Sequence, residues 1–230
     1  MYHLAQIFCK PYIVNGSNES LLGLPLRLNT NLEVKLTRSS LSETYGQILK
    51  DLLEAEELLP DTSISDRFPS KAANEGLLAR IFLIQGNYDQ AYEYSTKALQ
   101  KEAKLMDYKE SDYTLSYPFS RYSKEVIFQN TMSTCEIFNS LYEIDSNLYL
   151  SYKNGDLRKQ LYFSTNNSRI TFRGSYDGTA TFSGGIATDE LYLIKAETEA
   201  RLGKTMEARE TLLYLLTNRF SSSELAEASL

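Results

Sequence analysis

The sequence predicts a mostly α-helical protein in which two helical hairpins of one design flank a long irregular insertion carrying minor β structure. Three observations predict it. Between Ser70 and Lys101, Leu77, Leu78, Ile81, Phe82 and Ile84 recur at helical spacing; Gly86-Asn87 breaks the run, and Ala91, Tyr94 and Ala98 resume it. Between Thr188 and Arg219 the pattern returns in constant register: Gly203 falls on Gly86, Ala196 on Ala79 and Ala208 on Ala91, with the bulkier Leu215 at the place of Ala98. Residues 104–187, between the two copies, are aromatic or rich in Ser, Thr, Asn and Gly and hold no sustained helical period.

Each element follows in order. Leu4, Ala5, Ile7 and Phe8 suggest the end of a helix stopped by Pro11, and residues 15–23 form a loop rich in Asn, Ser and Gly. Leu24-Pro25-Leu26 and residues 30–40 read as extended connection. A helix opens at Ser40 or Ser42, with a serine cap and Glu43 in its first turn, and runs to Leu59, where Pro60-Asp61 ends it. In the first hairpin the small residues Ala79, Gly86, Ala91 and Ala98 let the two helices approach, Phe82 and Tyr88 fill the remaining gap, and Glu93 and Lys97 pair four apart on the wet side. This is the spacing of a tetratricopeptide-like unit. Glu125–Gln129 reads as a short β stretch, Asn154-Gly155-Asp156 as a turn into a short helix or strand, and residues 164–186 as loops or a small hairpin. Simple repeats stack neighbour on neighbour, so the insertion must fold over them, and a specialised surface is expected there.

Composition narrows the function classes. The apolar fraction of 42% supplies a core, and a net charge of −6 argues against a nucleic-acid surface. No apolar run is long enough for a membrane helix. Tyrosine is abundant, at 17 residues, while tryptophan is absent, so ring stacking must come from Tyr and Phe. Cys9 and Cys135 lie far apart without metal spacing and are expected as two buried free thiols, although one disulfide is possible. His3 is the only histidine, no His/Cys cluster, phosphate loop or nucleophile elbow is visible, and no cofactor is implied. Acidic groups such as Glu54/Glu56/Glu57 and Glu197/Glu199 read as solvated helix charge. The sequence therefore points to a binding protein, not an enzyme.

Several stretches together resemble the SusD/RagB family, the nutrient-binding outer-membrane lipoproteins of Bacteroidetes. In chain order they are YHLAQIFCKPY leading to GLPLRL, RSSLSETYGQILKDLLEAEELLP, SKAANEGLLARIFLIQGNYDQAYEYSTKAL, KEVIFQN, GDLR and TDELYLIKAETEARLGKTMEA. Their shared order spans most of the chain, which reads as one partial SusD/RagB-like domain, residues 1–230, corresponding to the central and later parts of such a protein. The resemblance implies an oligosaccharide ligand, a TonB-dependent outer-membrane transporter as partner, and a cell-surface location held by a lipid anchor in the full-length form. No leader or lipid-attachment motif is visible in this chain, since Gln6-Ile7-Phe8 before Cys9 is not the small-residue run a lipoprotein peptidase needs. An oligopeptide ligand and a plain protein-binding scaffold are the alternatives. In GDLR, Asp156 and Arg158 read as a salt bridge or turn cap.

A sugar offers apolar C–H faces and many hydroxyls, so its sites pair flat rings with amides and carboxylates. Outside the repeats, Tyr113, Tyr117, Tyr122, Asn130, Tyr142 and Tyr176 are the candidate ligand-binding residues, with Phe119 and Tyr149 nearby in sequence. The same rings can instead pin loops onto helices, a choice that packing decides.

Overall fold

The computed structural model describes residues 1–132, 142–166, 168–179 and 181–230; Cys135 lies outside them. α1 (Tyr2–Phe8) buries Tyr2 and Ala5 against α2 (Leu41–Leu58), while Leu4, Ile7 and Phe8, read as its apolar signal, are exposed. Cys9, at the end of α1, is free and half-buried rather than buried. Ser40 caps α2 reciprocally: its hydroxyl accepts from the Glu43 amide at 3.1 Å and the Glu43 carboxylate accepts from the Ser40 amide at 2.8 Å.

α3 (Lys71–Ile84) and α4 (Tyr88–Lys101) form the first hairpin. Gly86 has φ +73°, its amide donates to Leu83 O and the Asn87 amide to Phe82 O, a Schellman closure that favours glycine at that position. The second hairpin, α7 (Thr188–Arg201) and α8 (Thr205–Thr217), closes the same way: Gly203 at φ +79° donates to Ala200 O, and Lys204 to Glu199 O. Ala79, Ala91, Ala98, Leu78 and Phe82 of the first hairpin share one buried core with Leu191 and Ile194 of α7. Packing reassigns two rings. Phe82 stacks on Tyr94, with centroids 5.5 Å apart, whereas Tyr88 does not fill the hairpin gap but lies under the Arg201 guanidinium at 4.8 Å, reaching across to the second hairpin. The expectation for Glu199 also changes. It is buried, and Lys195 meets it at 2.9 Å, because α7 turns that face inward.

Between the hairpins, a 3₁₀ turn (Tyr108–Glu110) leads to β1 (Val126–Phe128) and β2 (Thr131–Met132); then come α5 (Ser146–Ser151), α6 (Arg158–Tyr162), β3 (Phe163–Asn166), β4 (Arg169–Phe172), β5 (Phe182–Ser183) and β6 (Ile186–Ala187). Among the described residues the strands pair as three antiparallel two-stranded ladders, β1–β6, β2–β5 and β3–β4. The β1–β6 ladder places the departure of the insertion beside its return, and β6 runs directly into α7. Ile127 and Ile186 of that ladder join the helical core. The insertion also has its own core of Tyr108, Phe119, Leu157 and Leu161. α9 (Ser223–Glu227) folds back on α8. In the turn before α6, Asp156 and Arg158 pair through two contacts of 2.6 and 2.9 Å, and the same carboxylate caps the Arg158 amide.

Candidate functional site

The six candidate residues separate by environment. Tyr117 (40% exposed) and Tyr142 (56%) present their rings to solvent. Tyr122 is half exposed, but its hydroxyl accepts from Arg67 Nη2 at 2.6 Å and Nε at 3.1 Å, with the guanidinium 5.7 Å above the ring. Its ring is thereby turned to the loop before α3, where it lines a separate polar hollow of about 220 Å³ with Asp66 and Lys104. Tyr113 packs against the insertion core and donates its hydroxyl to Tyr108 O at 2.7 Å. Phe119 is buried in that core, and Tyr149 meets Phe163 edge-on.

Tyr176 lines a cleft, and Asn130 stands behind one of its wall residues, Gly184. The Tyr176 ring meets Phe119 edge-on, and its hydroxyl lies 2.5 Å from Glu125 Oε2 and 2.8 Å from Asp189 Oδ2. Burial, then the nearby Asp189 charge, raises its phenol well above the ordinary range, so the proton stays on the oxygen. Asn130 O accepts from Gly184 N at 2.7 Å, while its neighbours Gln129 and Thr131 both donate to Asp177, next to Tyr176.

Tyr176 and Gly184 belong to the wall of a cleft of about 420 Å³ between α1, α3 and the start of α7. That volume suits a small ligand. The same cleft is lined by Tyr2, His3 and Gln6 of α1, by Arg80 of α3, and by Asp189 and Glu190 of α7. Arg80 engages Glu190 through two contacts of 2.5 Å and donates to Gly185 O at 2.8 Å, binding the helical layer to the glycine turn before β6. Asp189 accepts the Glu190 amide at 2.8 Å and shares the single Tyr176 hydroxyl proton with Glu125. Gln6 donates to the Tyr45 hydroxyl at 2.6 Å. Burial, then the Arg80 charge, lowers the His3 imidazole, so at neutral pH it carries one donor and one acceptor nitrogen. Burial pushes the Tyr2 phenol up to about 12. Neutral donors and acceptors beside a neutralised ion pair suit a hydroxyl-rich ligand. Among the described residues, no group of three or more His, Cys, Asp or Glu side chains could hold a metal ion.

Comparison with known proteins shows what the chain is similar to. Residues 1–83 match a SusD-like family described as "Starch-binding associating with outer membrane". A SusD-like protein, P2, of Formosa agariphila is 34% identical over 70 residues, 30% of this chain and 14% of that protein. A SusD-like carbohydrate binding protein of Bacteroides vulgatus superposes with a TM-score of 0.74 at 21% identity, over 99% of this chain and 55% of that one. A SusD superfamily protein of Bacteroides thetaiotaomicron gives 0.74 at 20% identity, over 98% and 58%. These likenesses support a SusD/RagB family assignment. The chain spans little more than half the length of the solved chains whose fold it shares.

The stretch matched by the family model supplies Tyr2, His3, Gln6 and Arg80 to the cleft, and the insertion and the start of α7 supply the rest. Sequence reasoning set His3 aside and passed over Gln6 and Arg80. The available signal was Arg80 itself, a lone cation within the apolar run of α3.

Proposed function

We propose that the chain, as one SusD/RagB-like unit over residues 1–230, captures an oligosaccharide at the outer-membrane surface and delivers it to a TonB-dependent transporter, without catalysing a reaction. The observation that carries this reading is the match of residues 1–83 to a family described as starch-binding and associating with the outer membrane, because those residues form one wall of the cleft. In this reading His3, Gln6 and the Arg80–Glu190 pair hold sugar hydroxyls, Tyr176 shapes the cleft wall with Asn130 behind it, and Tyr117 and Tyr142, at exposed positions, stack on further sugar units. Tyr113 and Tyr122, already engaged within the protein, serve the surrounding architecture. An oligopeptide is the alternative ligand.

Isothermal calorimetry against panels of oligosaccharides and oligopeptides tests the proposal. Gln6→Ala and His3→Ala, at exposed positions, are expected to weaken glycan binding by about 1 kcal/mol each, the worth of one hydrogen bond. Tyr117→Ala and Tyr142→Ala are expected to lose about 1 kcal/mol of stacking. Peptide binding through the same cleft would change the ligand class. Binding to neither panel, or glycan binding indifferent to all four variants, would remove the reading.

A further inference from the structure

The two hairpins share one register, so each has the same outward face, and the structure shows that face twice. On the first hairpin it is covered by α7. Gly76 leaves room for Leu191, whose Cδ2 lies 3.2 Å from where a Cβ would stand. Ala79 and Ala91 share the core with Leu191 and Ile194. Arg80 grips Glu190, and the Lys204 ammonium sits 3.9 Å above the Tyr92 ring. On the second hairpin the equivalent positions are Leu193, Ala196, Ala208, Glu197 and Arg209. They line an open apolar groove of about 640 Å³, with Leu193 50% exposed and Leu230 reaching one end.

We propose that the α7/α8 groove is a docking site for an amphipathic helix of a protein partner, laid on it as α7 lies on α3/α4. The filled face specifies the occupant. It carries Leu or Ile at two positions three apart, standing for Leu191 and Ile194. The charges follow by complementarity. Arg80 is replaced by Glu197, so the residue standing for Glu190 is basic; Arg201 engages only Oε1 of Glu197. Tyr92 is replaced by Arg209, so the residue standing for Lys204 is acidic. This site is separate from the cleft and does not depend on the ligand proposed for it.

The test uses the whole chain and fluorescently labelled peptides of the sequence 188–204. One peptide keeps the native sequence; the other carries Glu190→Lys and Lys204→Glu. In fluorescence anisotropy the charge-exchanged peptide is expected to bind at least fivefold more tightly. Glu197→Arg in the protein should narrow or reverse that preference. Leu193→Glu, at an exposed position and checked for an unchanged melting curve, should weaken binding about tenfold. Equal binding of the two peptides, no binding of either, or indifference to Leu193→Glu overturns the proposal. A concentration-dependent dimer that Leu193→Glu abolishes would also overturn it, assigning the groove to a second copy.

Discussion

Arg219 offers the sharpest test of how the insertion is held to the helices. It directly follows Asn218, which ends α8, and its side chain is 2% exposed while that of Glu125 is fully buried. Its Nη2 meets Glu125 Oε1 at 2.6 Å, its Nη1 donates to Met106 O at 2.8 Å, and its guanidinium lies 4.1 Å from the centre of the Tyr108 ring. One side chain therefore joins the end of the second hairpin to the segment entering the insertion and to the strand-leading Glu125. Arg219→Met keeps much of the volume and removes all three contacts. The carboxylate left behind retains only the Met106 amide at 2.7 Å and the Tyr176 hydroxyl at 2.5 Å. Breaking one partner out of a buried pair costs about 3–5 kcal/mol. That is a large share of the roughly 5–15 kcal/mol that keeps a domain folded. Most of it is the stranded charge, so Glu125→Leu in the Arg219→Met background should cost less than the sum of the two single changes, with a coupling of about 2 kcal/mol or more. Urea unfolding followed by circular dichroism at pH 7 measures all four corners. Acidity adds a second check. Burial, partly opposed by Arg219, already raises the Glu125 carboxyl, and without Arg219 it rises further. The folded variant then takes up a proton before the unfolded chain does, so its deficit should shrink as pH falls through the folded-state value. A cost below about 1 kcal/mol for Arg219→Met, or strict additivity in the double variant, would refute the reasoning.

Other expectations follow from single contacts. Ala91 is fully buried between helices, so Ala91→Leu should overpack it and cost about 1–3 kcal/mol, read as a fall in the urea midpoint. Gly86→Ala and Gly203→Ala each force a side chain into left-handed backbone, worth roughly 1–2 kcal/mol, but a Cβ at Gly86 also falls 2.5 Å from Val14 Cγ1 while one at Gly203 meets nothing. Gly86→Ala should therefore be the more damaging in urea unfolding, and equal losses would count against the packing of Val14 on that turn. Asp177 is fully buried; burial would raise its carboxyl, but donors on Thr131, Thr181, Arg121 and Thr179 outweigh it and hold the group far below the usual range. Its contribution is complete at neutral pH and is lost as pH falls below about 4, where the unfolded chain takes the proton first. The melting-temperature gap between the native chain and Asp177→Asn should accordingly close on acidification.

What the sequence by itself determined is what neighbours along the chain can decide. The 3.6-residue period, Ser40 with Glu43, and the glycines at 86 and 203 act within a turn or two, so α2, the helices of the two hairpins, the serine cap and the two hairpin turns were legible in the residues alone. The common register of Ala79 and Ala196 disclosed the repeat for the same reason. Tertiary structure alone decided which polar residues went inside and which met. The β1–β6 ladder joins Val126 to Ala187, and the cleft gathers His3, Arg80, Tyr176 and Asp189 from four separate segments, a convergence that no local period encodes. Tyr122 and Tyr176 look alike in composition, yet one lies under Arg67 and the other is locked between Glu125 and Asp189. Glu197 and Glu199 sit two apart on one helix, which turns the first to water and the second into the core beside Lys195. A side chain's role here depends on the partner that long-range packing brings to it, because burial raises the energy of any polar group left without one.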